Sequence, residues 1–133
     1  MTPTALLHIG RVTLSSLFVL GGVNKIVDPD PSLLQMVEVD FPRPELLLIA
    51  ATLLELGGGL AVAAGRWLWN GRLIPAAALR LVLHIAAINV LLHPFWALDD
   101  AAATIELLLF FKNVAVAGGL LMVAALYCTR ARP

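Results

Sequence analysis

An acidic residue in the middle of a long apolar segment is the feature that most constrains this chain. Residues 46–65 form an apolar run that is interrupted by Glu55. About 20 apolar residues are enough for a helix to cross a bilayer, so Glu55 would lie near mid-membrane. A charged side chain at that depth costs roughly 2.5 to 3.5 kcal/mol on insertion scales. The fold must therefore protonate Glu55, pair it with a cation or place it in a wet cavity.

The composition assigns the chain to the membrane proteins. Of its 133 residues, 60% are hydrophobic and 14% are charged, and the mean hydropathy is +0.91. Soluble domains have about 45 to 50% apolar and about 25% charged residues. The net charge is zero and no long basic tract is present, so we expect no nucleic-acid partner. Cys128 is the single cysteine, which excludes an intramolecular disulfide and a cysteine metal cluster, and we expect no metal site.

Hydropathy and helix-breaking residues predict an all-α fold, an integral membrane four-helix bundle that forms a single domain over residues 1–133. The predicted transmembrane helices cover about residues 5–27, 45–65, 73–93 and 103–127. The first helix has no preceding basic residue and no convincing cleavage site, so we interpret it as a retained helix and not as a signal peptide. Residues 32–38 predict a short amphipathic interfacial helix capped by Ser32. This helix is either a lid or a plain connector, and we favour the connector.

The distribution of basic residues predicts an orientation. Four spans place both termini on one side of the membrane. A tight turn predicted at residues 66–72 and the C-terminal tail carry Arg66, Arg72, Arg130 and Arg132, whereas Lys25 and Arg43 lie on the other side. Because basic residues are in excess on the cytoplasmic side of membrane proteins, both termini are predicted to be cytoplasmic.

Ionisable residues within the predicted helices form two polar layers. At about 1.5 Å per residue, Glu55 and Lys112 both lie roughly 14 to 15 Å from the outer end, so they could pair. Arg11 and Arg80 lie one or two turns below Glu55, and either could reach it. The outward layer contains Asn24, Lys25, His93 and Glu106.

The polar layers have a functional and an architectural interpretation. Intramembrane charges are functional by default, so we expect a ligand-binding or proton-relay site. In the alternative, the pairs only define helix order, since hydrogen bonds between membrane helices contribute about 0.6 kcal/mol on average. We interpret His84 as a packing histidine and not as a metal or haem ligand, because no second histidine shares its depth. The candidate site residues are Arg11, Lys25, Glu55, Arg80, His84, Glu106, Lys112 and Asn113.

Short motifs spread over about residues 6–126 resemble a known family. They comprise Arg11, residues 18–22 and Lys25 in the first helix, Glu55 with Gly58-Gly59 in the second, Lys112-Asn113 and residues 118–121 in the fourth, and the loop at 93–96. Their order and spacing resemble the DoxX family, and the loop resembles one DoxX-like subgroup. The resemblance implies a compact four-helix bundle in the bacterial inner membrane, with relatives that include a small subunit of a thiosulfate:quinone oxidoreductase. Arg80 and His84 have no match in the family pattern.

Two functions of different classes follow. The first is a quinone-linked redox component, in which Arg11, Glu55 and Lys112 bind carbonyl oxygens or relay protons and a partner protein supplies electrons. The second is a non-catalytic accessory subunit or assembly factor whose glycine-rich faces pack on a larger membrane complex. Transport of a small anion is disfavoured, because no inverted repeat or broken helix is visible. We expect the bilayer and membrane proteins as partners, quinone as a ligand, and no intrinsic cofactor.

Overall fold

The computed structural model describes residues 2–130, which form five α-helices and a short connecting 3-10 helix. The α-helices are α1 (Pro3–Val27), α2 (Asp30–Glu38), α3 (Pro44–Trp69), α4 (Ile74–Leu92) and α5 (Asp100–Arg130), and the 3-10 helix covers Phe95–Ala97. No strand occurs within residues 2–130. The predicted all-α fold is confirmed. Arg132, which the orientation argument counted, lies outside the described residues.

Four of these helices are long and apolar enough to cross a membrane, as predicted. The spans are Pro3–Val27, Pro44–Leu68, Ile74–Ala97 and Ala101–Cys128. One predicted boundary is wrong, since α3 continues through residues 66–69 and the turn begins only at Asn70. Asn70 and Gly71 both adopt positive φ angles, and the Gly71 N–H donates to the Gly65 carbonyl at 2.9 Å. This C-terminal cap ends the helix later because the αL conformation it requires suits Asn and Gly.

The helices pack in the order α1, α3, α4 and α5, and the seam between α1 and α5 closes only loosely. The apolar core includes Phe18 of α1, Val62 of α3, Leu81 of α4 and Leu120 of α5. The two ends of the bundle differ. The N-terminal half of α1 lies beside the C-terminal part of α5 at one end, here called the terminal end, and α2 lies at the opposite end, here called the α2 end.

Glycines set the close approach of α3 to its two neighbours. A Cβ atom at Gly22 of α1 would lie 2.6 Å from Cγ of Leu56 in α3. At Gly58 it would lie 2.9 Å from Leu81 in α4, and at Gly59 3.0 Å from Val19 in α1. Small residues allow membrane helices to pack this closely.

The short helix α2 differs in its start from the prediction. It begins at Asp30, and its N-cap is Pro29, with no side-chain cap from Ser32. Pro31 explains the earlier start, because proline is favoured in the first turn, where its missing N–H costs nothing. Met36 is buried, and the Gln35 side chain donates to the Leu92 carbonyl at 3.5 Å. The helix α2 therefore lies against the bundle, next to the end of α4.

The glycine contacts predict a position-dependent response to added methyl groups. Gly22→Ala should lower the free energy of unfolding by about 1 to 3 kcal/mol, because the new Cβ overlaps Leu56. Gly57→Ala is the matched control, since no atom of the described residues outside its own helix turn lies within 4 Å of its Cβ position. The control should be neutral or slightly stabilising, given the higher helix propensity of alanine. Thermal unfolding of both variants in detergent checks this, and equal stability would contradict the proposed packing.

Candidate functional site

A cavity of about 310 Å³ lies in the half of the bundle nearest to α2. This volume is at the lower end of the range of roughly 300 to 1,000 Å³ that is usual for small-molecule sites. All five helices contribute to its wall, which is mainly apolar. The polar side chains that line it are Lys25, Ser32, Gln35, Glu55, His84, His93, Lys112 and Asn113.

The Glu55 carboxylate is the centre of the polar part of the cavity. Nζ of Lys25 lies 3.1 Å from Oε1 and 2.9 Å from Oε2 of Glu55. Nε2 of His84 lies 2.9 Å from Oε1. The Glu55 side chain is 7% exposed, and those of Lys25 and His84 are 18% and 11% exposed. The intramembrane carboxylate is therefore held between a cation and an imidazole, contributed by α1 and α4.

The contact between Lys25 and Glu55 corrects the predicted partners of the carboxylate. The depth argument assigned Lys25 to the outward layer and proposed Lys112, Arg11 or Arg80 as the partner of Glu55. Side chains on a helix point towards its N-terminus. Because α1 and α3 run in opposite directions, Lys25 reaches away from the α2 end and Glu55 reaches towards it. The two side chains meet between the depths of their Cα atoms.

A second carboxylate–imidazole pair lies closer to the α2 end. Nδ1 of His93 lies 2.6 Å from Oε2 of Glu106, whose side chain is 22% exposed. His93 also lines the cavity, whereas Glu106 lies behind it. The two residues share a depth, as predicted, and they join the end of α4 to α5.

Paired amides connect α4 and α5 beside the cavity. Nδ2 of Asn113 donates to Oδ1 of Asn89 at 2.8 Å, and Nδ2 of Asn89 donates to the Phe110 carbonyl at 3.1 Å. Asn89 was not among the predicted site residues. The only signal for it in the sequence is an amide within an apolar helix, and this signal does not specify a partner.

Arg11 lies outside the cavity, although it was a predicted site residue. Its guanidinium is fully buried, donates to the Tyr127 hydroxyl, and donates to the Ala63 carbonyl at 2.7 Å. It also lies over the rings of Trp67 and Tyr127, 5.9 and 5.2 Å from their centroids. It is separated from Lys25 by about 21 Å along α1, at 1.5 Å per residue. Arg11 joins α1, α3 and α5 at the terminal end, and its depth alone could not reveal these neighbours.

The two remaining candidate cations differ in their position. Arg80 is exposed on α4, and within residues 2–130 it forms no hydrogen bond or ion pair and does not line the cavity. Lys112 does line the cavity, and it too forms no ion pair with any described residue. The cavity thus brings together Lys25, Glu55, His84, Lys112 and Asn113. Sequence reasoning missed Ser32 and Gln35, because it favoured a plain connector over a lid for the amphipathic helix that carries them.

The arrangement suits a small polar head group in an apolar environment. An ammonium group, an imidazole and an amide supply hydrogen-bond donors, and the carboxylate can accept or release a proton. No group of three or more His, Cys, Asp or Glu side chains within the described part of the chain could hold a metal ion. The cavity can therefore bind an oxygen-bearing group and exchange protons with it.

The ion pair predicts energetic coupling between α1 and α3. Lys25→Met leaves a buried carboxylate without its cation and should lower stability by about 3 to 5 kcal/mol. Glu55→Gln in the same chain should restore much of this loss, so a double-mutant cycle should show strong coupling. Lys112→Met is the control, because Lys112 forms no ion pair in the described residues. Detergent unfolding of the four variants measures the coupling, and a purely additive cycle would contradict the pair.

Comparisons with known proteins agree with this architecture. The DoxX family model matches residues 6–94. The inner membrane protein YphA of Escherichia coli strain K12 is 26% identical over 119 residues, which cover 90% of this chain and 81% of that protein. No solved structure matches the chain. Four helices of this chain are long and apolar enough to cross a membrane. Because the family model covers more than half of the chain, this protein is a multi-pass member of the DoxX family.

Proposed function

We propose that this protein is a quinone-linked redox component of the inner membrane, and that its cavity binds the quinone head group. The single observation that carries the proposal is the Glu55 carboxylate, held between Lys25 and His84 inside a mainly apolar cavity. Intramembrane ionisable groups that face a cavity commonly mark ligand or proton pathways. In this proposal the whole chain, residues 1–133, acts as one domain.

The chemistry of a quinone fits the groups around the cavity. Its two carbonyl oxygens accept hydrogen bonds, and Lys25, His84 and Asn113 carry suitable donors. Reduction to the quinol adds two electrons and two protons and forms two O–H bonds. In our proposal a partner membrane protein with a redox cofactor supplies the electrons, and Glu55 exchanges the protons through its contact with His84.

The His93–Glu106 pair supports a route for these protons. Glu106 is partly exposed, and His93 forms part of the cavity wall. A partly exposed carboxylate that contacts an imidazole can pass protons between water and an enclosed site. We assign the pair to proton supply from the α2 end.

The contacts of α2 favour a lid over a plain connector. Ser32, Gln35 and Met36 of this helix line the cavity, and Met36 is buried. An amphipathic helix that contributes side chains to a cavity wall does more than connect two spans, so we assign α2 to covering the head group.

An accessory-subunit function is the second candidate, and open glycine surfaces favour it. In the described part of the chain, no atom outside the local helix turn lies within 4 Å of the Cβ positions of Gly10, Gly57 or Gly118. Such positions allow a helix of another membrane protein to approach closely. In this alternative the protein would stabilise a larger membrane complex, and its buried charges would only maintain helix order.

Quinone retention tests the proposed function. The protein purified in mild detergent should carry quinone at near one per chain. Glu55→Gln should lose at least about nine-tenths of it, which from near-full occupancy is roughly a hundredfold loss of affinity. Glu45→Gln, in the exposed first turn of the same helix, is the matched control and should retain quinone. Mass spectrometry of the extracted lipophilic molecules measures the ratio.

The same preparation separates the two candidate functions. A stoichiometric partner protein without any quinone would contradict the redox proposal and support the accessory subunit. Quinone is measured at a temperature at which Glu55→Gln is fully folded, because loss of its pair with Lys25 lowers stability. Quinone retained by the folded variant would indicate an architectural role for Glu55.

We also propose that both termini are cytoplasmic, because Arg66, Arg72 and Arg130 belong to the terminal end. Cys128 tests this, since it is the single cysteine and is exposed near the end of α5. A membrane-impermeant maleimide should label it in inverted membrane vesicles and not in intact spheroplasts. Labelling in intact spheroplasts would contradict this proposal and would place both termini on the outer side of the membrane.

A further inference from the structure

A lipid-facing groove runs along the loose seam between α1 and α5. It has a volume of about 1,120 Å³, several times that of the cavity. Most of its lining is apolar or small, and α1 contributes most of it. The lining residues used below are Leu17, Leu20, Gly21, Val23 and Lys112.

The groove and the cavity meet at a junction formed by Leu17, Gly21 and Lys112, each of which lines both. Gly21 keeps this junction open, because a Cβ atom there would lie 3.2 Å from Oε2 of Glu55 and 3.9 Å from Nζ of Lys25. A side chain at this position would fill the space in front of the carboxylate. The polar cavity and the groove therefore lie next to each other at these three residues.

Lys112 is the charged residue at this junction. It lies within the α5 span, and among residues 2–130 it has no acidic partner. Glu55 is already paired with Lys25 and His84. An ammonium group at membrane depth without an anion favours a ligand that brings oxygen atoms to it. The occupant of the groove should thus be an amphiphile with a polar oxygen-bearing head and an apolar tail.

We propose that the groove holds the tail of the quinone whose head occupies the cavity, and that the ligand enters from the bilayer between α1 and α5. Lys112 then holds a carbonyl oxygen where the head meets the tail. This inference rests on the proposed function. The two linings support it, since the cavity carries the polar side chains that suit a ring with carbonyl groups, and the open groove is lined mainly by apolar and small residues that suit a chain of methylene or isoprenoid units.

Blocking the groove tests the inference without touching the cavity. Leu20→Trp and Val23→Trp each place a large ring in the groove at an exposed position, so folding should be retained. Leu83→Trp is the matched control, because Leu83 is exposed on α4 and lines neither space. The probes are a quinone with a decyl tail and the same ring without the tail, both titrated into detergent-solubilised protein.

We expect the groove variants to weaken binding of the decyl quinone at least about tenfold and to leave binding of the tail-less ring within about threefold. The control should bind both probes as the unmodified protein does. Lys112→Met should weaken both probes, and Lys112→Arg should restore them, since a cation at the junction holds the head group.

The outcomes separate this inference from the proposed function. If the unmodified protein binds neither quinone, the proposed function fails and this inference fails with it. If it binds both and the groove variants change neither, the function stands and the tail site is wrong. An equal loss of both probes in the groove variants at equilibrium also overturns the tail site, because the tail-less ring, once bound in the cavity, has no part that occupies the groove.

Discussion

The contact of Glu55 with Lys25 and His84 is the interaction on which the rest of the structure depends. A carboxylate in the middle of a membrane span requires a partner, and this protein supplies one from α1 and another from α4. Three helices are thereby held in register around one group. The same contact leaves a polar centre inside an apolar wall, which is the property that makes the cavity suitable for a lipophilic ligand with a polar head.

The helix α1 packs closely on α3 and only loosely on α5, and this difference accounts for the groove that lies beside the cavity around Glu55. Gly22 and Gly59 bring α1 against α3, and Gly58 admits Leu81 of α4. With α1 held against α3, the seam with α5 stays loose and the lipid-facing groove lies along it. Gly21 lines both the cavity and the groove, and a Cβ atom there would lie 3.2 Å from Oε2 of Glu55.

The two ends of the bundle use their polar residues differently. At the terminal end, the fully buried Arg11 donates hydrogen bonds to Tyr127 and Ala63 and lies over aromatic rings, so its contacts join three helices. At the α2 end, Glu55, His84, His93 and Asn113 line a cavity, and Glu106 behind it is partly exposed. We therefore propose that the first group acts in stability alone, and that the second group also takes part in ligand chemistry.

The sequence by itself determined the fold class, the four spans, the amphipathic segment after the first span and the presence of buried charges, because hydropathy and helix-breaking residues act locally. It also identified Lys25, Glu55, His84, Lys112 and Asn113 as candidates. Only the tertiary structure showed that Glu55 pairs with Lys25, that Arg11 and Arg80 lie outside the cavity, and that α2 forms part of the cavity wall. Depth counted along a helix fixes neither which helix is the neighbour nor the direction in which a long side chain points.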